Sequence, residues 1–321
     1  MGNPRLSERD FIDLFKRKGA TSLAKHLGIT KRGVYERRRS IESRLGIKLT
    51  APNSAGGVIR EAEQRVAKEY PHRAALAVKN GLVIVGSDFH IWPGQESVAL
   101  RAFKVLCKDL KPCAVILNGD VLDFPKISRH PPIGWENTPS PIEEIEAAQE
   151  HLHEIAQACG RARKIWTLGN HDARFETRLA TVASEYKGIS GIHLSDHFPL
   201  WEKGWSVWIN DSVVCKHRWK GGVHATHNNT VGSGKTMVTG HLHSQKVTPY
   251  TDYNGTRYGI DTGCVADPDH KAFLDYTEDA PKNWVSGFAV LKFKDGKLMQ
   301  PELCTVWDSK SVQFRGEVIR V

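Results

Sequence analysis

The sequence predicts an α/β domain with two sheets and helices outside them, preceded by a small all-α module. Three observations carry this. Short, wholly apolar runs (LVIVG at 82–86, AVIL at 114–117) suit strands buried on both faces, and they alternate with helix-length segments. Later stretches (WSVWIN, SVVCK, FAVLKF) are richer in strand, with Tyr253-Asn254-Gly255 marking a hairpin. The first 50 residues instead combine helical spacing with dense positive charge.

In that first module, residues 8–18 place Phe11, Leu14 and Phe15 at helical spacing, and Gly19 is the expected stop. Thr21 or Ser22 caps a short helix carrying Leu23, Ala24 and Leu27. Gly28 supplies the turn after it. Thr30 caps a further helix with Val34, Ile41 and Leu45 on one face. Ala24, Gly28 and Val34 stand where a close helix approach, a tight turn and an apolar lock are needed. The stretch resembles the helix-turn-helix of phage and bacterial DNA-binding proteins. Lys31, Arg32, Arg37, Arg38 and Arg39 are the expected nucleic-acid contacts and Arg44 extends their face, so DNA is the expected partner. The plainer alternative is a three-helix packing domain with a charged outer face. Residues 50–57 read as a linker and 58–70 as an amphipathic helix ended by Pro71. The divisions are therefore 1–49, a 50–74 linker with helix, and a main domain over 75–321.

Charge supports this division. The chain has 321 residues and a net charge of +9. Residues 1–50 hold 13 Lys/Arg against 5 Asp/Glu, and 51–80 hold 5 against 3, which leaves about −1 for the rest. A compact basic module suggests a polyanionic partner. No run of 18 apolar residues exists, so no membrane span is expected. Six cysteines without a CxxC pair are expected to be buried free thiols. With no signal peptide recognised, a cytoplasmic setting is expected, the host cytoplasm if the chain is phage-encoded. The sequence leaves room for a homo-oligomer.

In the main domain each apolar run ends in a residue of metal-ligand type. LVIVG delivers Asp88 and His90, and a helix is expected over 95–110. AVILNG delivers Asp120, followed by Asp123 and a Pro-rich loop over 124–140. Ser140, Pro141, Glu143 and Glu144 open a long helix ending near Gly160. RKIWTLG delivers Asn170, His171 and Asp172. SVVCK delivers His217, preferred over His224 and His227 because it ends an apolar strand. KTMVTG delivers His241 and His243. Ligands at the ends of neighbouring strands converge in space. VGSGKT at 231–236 has Asn229 where the Walker pattern needs Gly, so no phosphate loop is expected.

Two cations need a shared anionic ligand to offset their repulsion, and Asp120 is the expected one. Asp88, His90 and His243 are expected to hold one ion, with Asn170, His217 and His241 holding the other. Asp88 and His90 lie two apart, as do His241 and His243, which places each pair on one side of an extended chain. Such ligands suit divalent Mn, and also Fe, Co, Zn or Ni. A water between two cations loses its proton near neutral pH and attacks phosphorus. His171 is expected to contact the phosphate or protonate the leaving oxygen, with Asp172 orienting its ring.

The set DxH, GDxxD, GNHD, H and GHxH resembles the calcineurin-like metallophosphoesterases over residues 82–243. The resemblance implies a four-layer α/β/β/α sandwich and makes Asp123 a supporting carboxylate. It departs from the family at Ile91-Trp92-Pro93, and at Arg218, where a Gly is frequent. GDVLDF and GNHD resemble the nuclease and general phosphodiesterase branches more than the protein phosphatases. The expected function is thus a two-metal phosphodiesterase or nuclease acting on DNA. The alternatives are a phosphoesterase for nucleotides or other small phosphoesters, and a DNA-binding regulator whose metal site is idle.

Overall fold

The computed structural model describes residues 6–49, 51, 70–129, 138–270, 273, 277, 280 and 282–321. The expected linker over 50–57 and the helix over 58–70 fall almost wholly outside them.

The N-terminal module has helices α1 (Glu8–Leu27) and α2 (Lys31–Leu45). Gly19, at φ 70°, breaks α1 into two arms, as its expected role as a stop requires. Gly28 closes the second arm at φ 62°, and the Thr30 side chain accepts from the Gly33 N–H at 3.1 Å. Phe11, Phe15, Leu23, Val34, Ile41 and Leu49 form a small core. Leu45, expected on the apolar face, is 48% exposed; Leu49 fills the core beyond the helix end instead.

The main domain holds two sheets. In strand order, one runs β15 (Glu317–Arg320), β14 (Ser311–Phe314), β13 (Glu302–Asp308), β11 (Gly287–Lys294), β2 (Gly81–Gly86), β3 (Ala114–Leu117), β4 (Arg163–Thr167) and β5 (Glu202–Gly204). Strand β12 (Lys297–Leu298) pairs with β11. The other runs β1 (Ala74–Leu76), β6 (Val207–Ile209), β7 (Val213–Cys215), β8 (Thr236–Thr239), β10 (Gly255–Asp261) and β9 (Lys246–Asp252). Alternation along β2 divides the core. Val83 and Val85 face Val207, Ile209, Cys215, Val238 and Ile260 of the opposing sheet. Ile84 joins Phe103, Leu106, Leu152, Ile155 and Trp166 on the other side, beneath helices α3 (Val98–Leu110) and α4 (Pro141–Ala158). Next along the chain come α5 (Asp172–Val182), the short α6 (Leu194–His197) and α7 (Ala225–Ser233). Helix α7 covers β8, β9 and β10. The layers therefore run helix, sheet, sheet, helix.

Local chemistry sets the boundaries. Ser97 caps α3, which starts three residues later than expected. Ser140 and Glu143 form a reciprocal capping box with Pro141 in the first turn of α4. Tyr253 and Asn254 join β9 to β10 as a two-residue hairpin. The GSGK segment leads from helix into strand, the reverse of a phosphate loop. All six cysteines are free; five are buried, but Cys113 is exposed at the start of β3. No helix among the described residues is long and apolar enough to cross a membrane.

Candidate metal centre

Strands β2, β3 and β4 run parallel, as do β7 and β8, so their C-terminal ends meet at one rim. Two ligand groups form there. In one, atoms of Asp88, His90 and His243 all lie within 4.8 Å of one another. In the other, atoms of Asp120, His217 and His241 do so. Asp88 Oδ1 lies 3.1 Å from His243 Nε2, 3.9 Å from His90 Nε2 and 3.9 Å from His217 Nε2, so one oxygen reaches both groups. Asp120 Oδ2 lies 3.0 Å from His217 Nε2, and its Oδ1 accepts the His171 N–H at 2.8 Å. His217 is buried, whereas His224 and His227 are exposed.

The backbone at these residues is not the extended chain expected. Asp88 (φ 55°), His90 (39°), Asp120 (51°), His241 (70°) and His243 (55°) all occupy the left-handed region. Such conformations cost about 1–3 kcal/mol each and persist only where surroundings enforce them. Here loop-to-loop hydrogen bonds enforce them. Asp88 N–H donates to Gly119 O and His90 N–H to Asp120 O. His241 N–H donates to Asp88 Oδ2 at 2.8 Å across the sheets. Two glycines leave room for the ligands. A Cβ on Gly169 would stand 2.0 Å from Asp120 Oδ1, and one on Gly119 would stand 2.4 Å from the His217 ring.

The residues fit divalent cations. His90 Nε2, His217 Nε2, His243 Nδ1 and Asn170 Oδ1 are buried without an aligned hydrogen-bond partner, an expensive state for polar atoms. Nitrogen and oxygen donors of these kinds suit borderline divalent ions. His217 Nδ1 donates to Asn118 O at 2.8 Å, which turns Nε2 toward Asp120 Oδ2, 3.0 Å away, where a bound cation could replace its proton. Burial opposes charge on Asp88 and Asp120, but the surrounding histidines outweigh it and hold both carboxyls below their ordinary range. At the rim, partial desolvation and the neighbouring His217 pull His241 down to about 4, keeping it neutral; Arg218 adds to this.

The expectation that Asp172 orients His171 is corrected. Asp172 is buried and accepts N–H groups of Asp120, Val121, Leu122 and Gly169 and the Trp166 indole N–H, at 2.8–3.2 Å. Burial and Asp120 push its pKa up, while these five donors stabilise its anion. It is a clamp on the Asp120 loop. Asp123 instead orients the ring: its Oδ1 lies 2.5 Å from His171 Nδ1 and 3.2 Å from His90 Nδ1. Burial opposes charge on His171, but Asp120 and Asp123 raise its pKa. Two further residues were not expected at the site. Arg174 donates to Asp123 O at 2.7 Å, with its other amino group 3.2 Å from His171 Nε2. Glu144 is buried under the same loop and accepts from the Asp123 and Phe124 N–H groups. Its helix-start position gave the acid a different reason to be there, which hid this one.

The basic residues of α2 divide. Lys31, Arg32 and Arg39 are exposed. Arg37 and Arg38 are half-buried: Arg37 donates to Leu6 O and lies 4.7 Å over the Phe11 ring, and Arg38 pairs with Glu42 at 2.9 Å. The last two thus pack the module's own helices, because the (CH₂)₃ stem and guanidinium cover its small core.

The sequence profile described as calcineurin-like phosphoesterase matches residues 82–258. The chain belongs to that family. It is also similar to the Gene 54 protein of Mycobacterium phage L5, 25% identical over 257 residues, covering 70% of this chain and 93% of the relative. The Gene 54 protein of Mycobacterium phage D29 is 26% identical over 256 residues, with the same coverage. A solved structure of a protein serine/threonine phosphatase from Saccharomyces cerevisiae, with similarity to human phosphatase PP5, aligns with TM-score 0.37 and 12% identity over 83% of this chain and 93% of that one. This calcineurin-like phosphoesterase thus carries the family motifs on two facing sheets.

Proposed function

We propose that this calcineurin-like phosphoesterase is a phosphodiesterase of nucleic acid, acting on DNA, with Asp88, His90 and His243 holding one divalent cation and Asp120, Asn170, His217 and His241 the other. Divalent ions held by these residues would acidify a water and offset charge gathering on the phosphoryl oxygens. Asp120 sits between the His217 ring and the His171 loop, and Asp88 Oδ1 faces histidines of both groups. His171 turns Nδ1 to Asp123 and leaves Nε2 toward Asp120 Oδ2 at 3.8 Å. Asp120 and Asp123 favour a proton on this ring, and once a bound phosphate draws the Arg174 amino group off Nε2, that edge can pass a proton to the leaving oxygen. Arg174 adds a fixed cation beside it, placed to meet a phosphoryl oxygen.

The observation that carries the choice of polymer is the exposed face of α2, where Lys31, Arg32 and Arg39 stand on the second helix of a helix-turn-helix-like module. The test is a substrate panel in manganese, run on the full chain and on Asp120→Ala. Cleavage of labelled DNA that disappears in the variant supports the reading. Turnover of p-nitrophenyl phosphoesters with DNA untouched points to a small-phosphoester enzyme. Salt-sensitive DNA binding with neither hydrolysis points to a regulator.

A further inference from the structure

Directly after the ligand His217 the chain turns outward through Arg218, Trp219 and Lys220, all exposed. Trp219 keeps 49% of its surface open to solvent. Yet the loop is held firmly. The Lys220 N–H donates to Asn229 Oδ1 at 3.0 Å, and Asn229 Nδ2 returns a bond to Lys220 O at 3.4 Å. Asn229 is buried on α7. Lys220 Nζ lies 4.9 Å from the indole centroid and donates to Asn228 O. The indole edge rests on Gly232, where a Cβ would come within 3.3 Å of it. A large aromatic ring is thus fixed on one side and open on the other. It lies two positions along the chain from a metal ligand, which limits the Cα–Cα distance to about 7.6 Å.

The surroundings favour an anion. From Ser212 to Thr251 the chain has five Lys/Arg (Lys216, Arg218, Lys220, Lys235, Lys246) and no Asp or Glu, although residues 81–321 as a whole are near balance. Arg218 follows the candidate ligand His217 directly and is exposed. A pinned aromatic ring on a segment rich in cations and free of acids suits a polymer of alternating bases and phosphates: every base has a π-face, and cations attract the backbone.

We infer that Trp219 stacks a nucleobase next to the scissile phosphodiester of a single-stranded substrate, while Arg218 pairs with a phosphate flanking it. This rests on the proposed action on nucleic acid. It adds a base-binding subsite on the His217 side of the centre and makes Trp219 a binding residue rather than a catalytic one.

The test compares two single-stranded DNA oligonucleotides of equal length, one normal and one abasic throughout, with the full chain, Trp219→Leu and Trp219→Phe in manganese. The wild type should show a kcat/KM about 5- to 100-fold higher on the normal strand. Trp219→Leu should lose most of that preference through a raised KM, with kcat on the abasic strand unchanged, and Trp219→Phe should restore much of it. Equal preference in the wild type and Trp219→Leu would overturn the subsite while leaving a nuclease in place. Absence of cleavage of either strand by the wild type, with p-nitrophenyl phosphoesters hydrolysed, would overturn both the nuclease reading and the subsite.

Discussion

At the scale of single residues, the division of labour among the acids is what the motif spelling conceals. GNHD places Asp172 beside His171, yet helical backbone at His171 turns the two side chains apart, and Asp172 gathers five N–H groups instead. Asp123, 48 residues earlier, meets the imidazole. The clustering of the candidate ligands could be anticipated because Asp, His and Asn in that order suit two divalent ions. The partner of His171 could not, because hydrogen-bond direction depends on loop curvature. His171→Ala should lower turnover about 10²- to 10⁴-fold with bound manganese nearly unchanged, measured by steady-state kinetics beside elemental analysis; loss of metal would make His171 a ligand. Glu144 gives a second prediction. Burial raises its pKa to about 8, so the folded state keeps a proton that the unfolded chain releases near the ordinary value. Its stabilising share is complete below about pH 4.5 and is lost as pH rises through 8. Between pH 6 and 9 the wild type should therefore lose on the order of 2 kcal/mol relative to Glu144→Gln in denaturant titrations. Parallel pH profiles for the two proteins would mean that Glu144 is already ionised in the fold.

At the scale of elements, the apolar runs announced strands β2, β3, β4, β7 and β8 because a strand buried on both faces has little other composition open to it. The loop after each strand was harder to read. Period-two spacing suggested extended chain at Asp88-Phe89-His90, where the backbone instead coils left-handed under hydrogen bonds from the neighbouring loop. Such tertiary enforcement leaves no local trace except the glycines. Gly169 is the sharpest of these. Gly169→Ala drives a methyl group into Asp120 Oδ1 and the Asp120 backbone nitrogen, which lie 2.0 and 2.4 Å from where that carbon would stand. Overpacking of this kind costs about 1–3 kcal/mol or more. The variant should melt earlier and bind manganese more weakly, as thermal denaturation with and without the metal will report; an unaltered metal-induced shift would show that the Asp120 loop yields easily. In the N-terminal module, Gly19, Gly28 and Thr30 were readable as punctuation, whereas the inward lean of Arg37 and Arg38 was not, since a charged side chain with an apolar stem serves either face.

At the scale of the whole molecule, two sheets of different strand order bring ligands from five strand ends to one rim, while the positive charge of the chain lies mainly in the first 50 residues. The candidate metal centre and most of the positive charge thereby lie in separate parts of the chain. Removing residues 1–49 should weaken DNA binding and flatten the dependence of log affinity on log salt, because fewer phosphate contacts release fewer counterions. The same slope in both proteins, measured by fluorescence anisotropy, would place DNA binding elsewhere. The donor set of the rim suits a pair of divalent cations. Calorimetric titration of manganese into the chelator-stripped full chain tests it most directly. Two ions should bind per chain, and fewer to the Asp120→Ala and His243→Ala variants. Binding of none, or of two ions undiminished by either substitution, would contradict it.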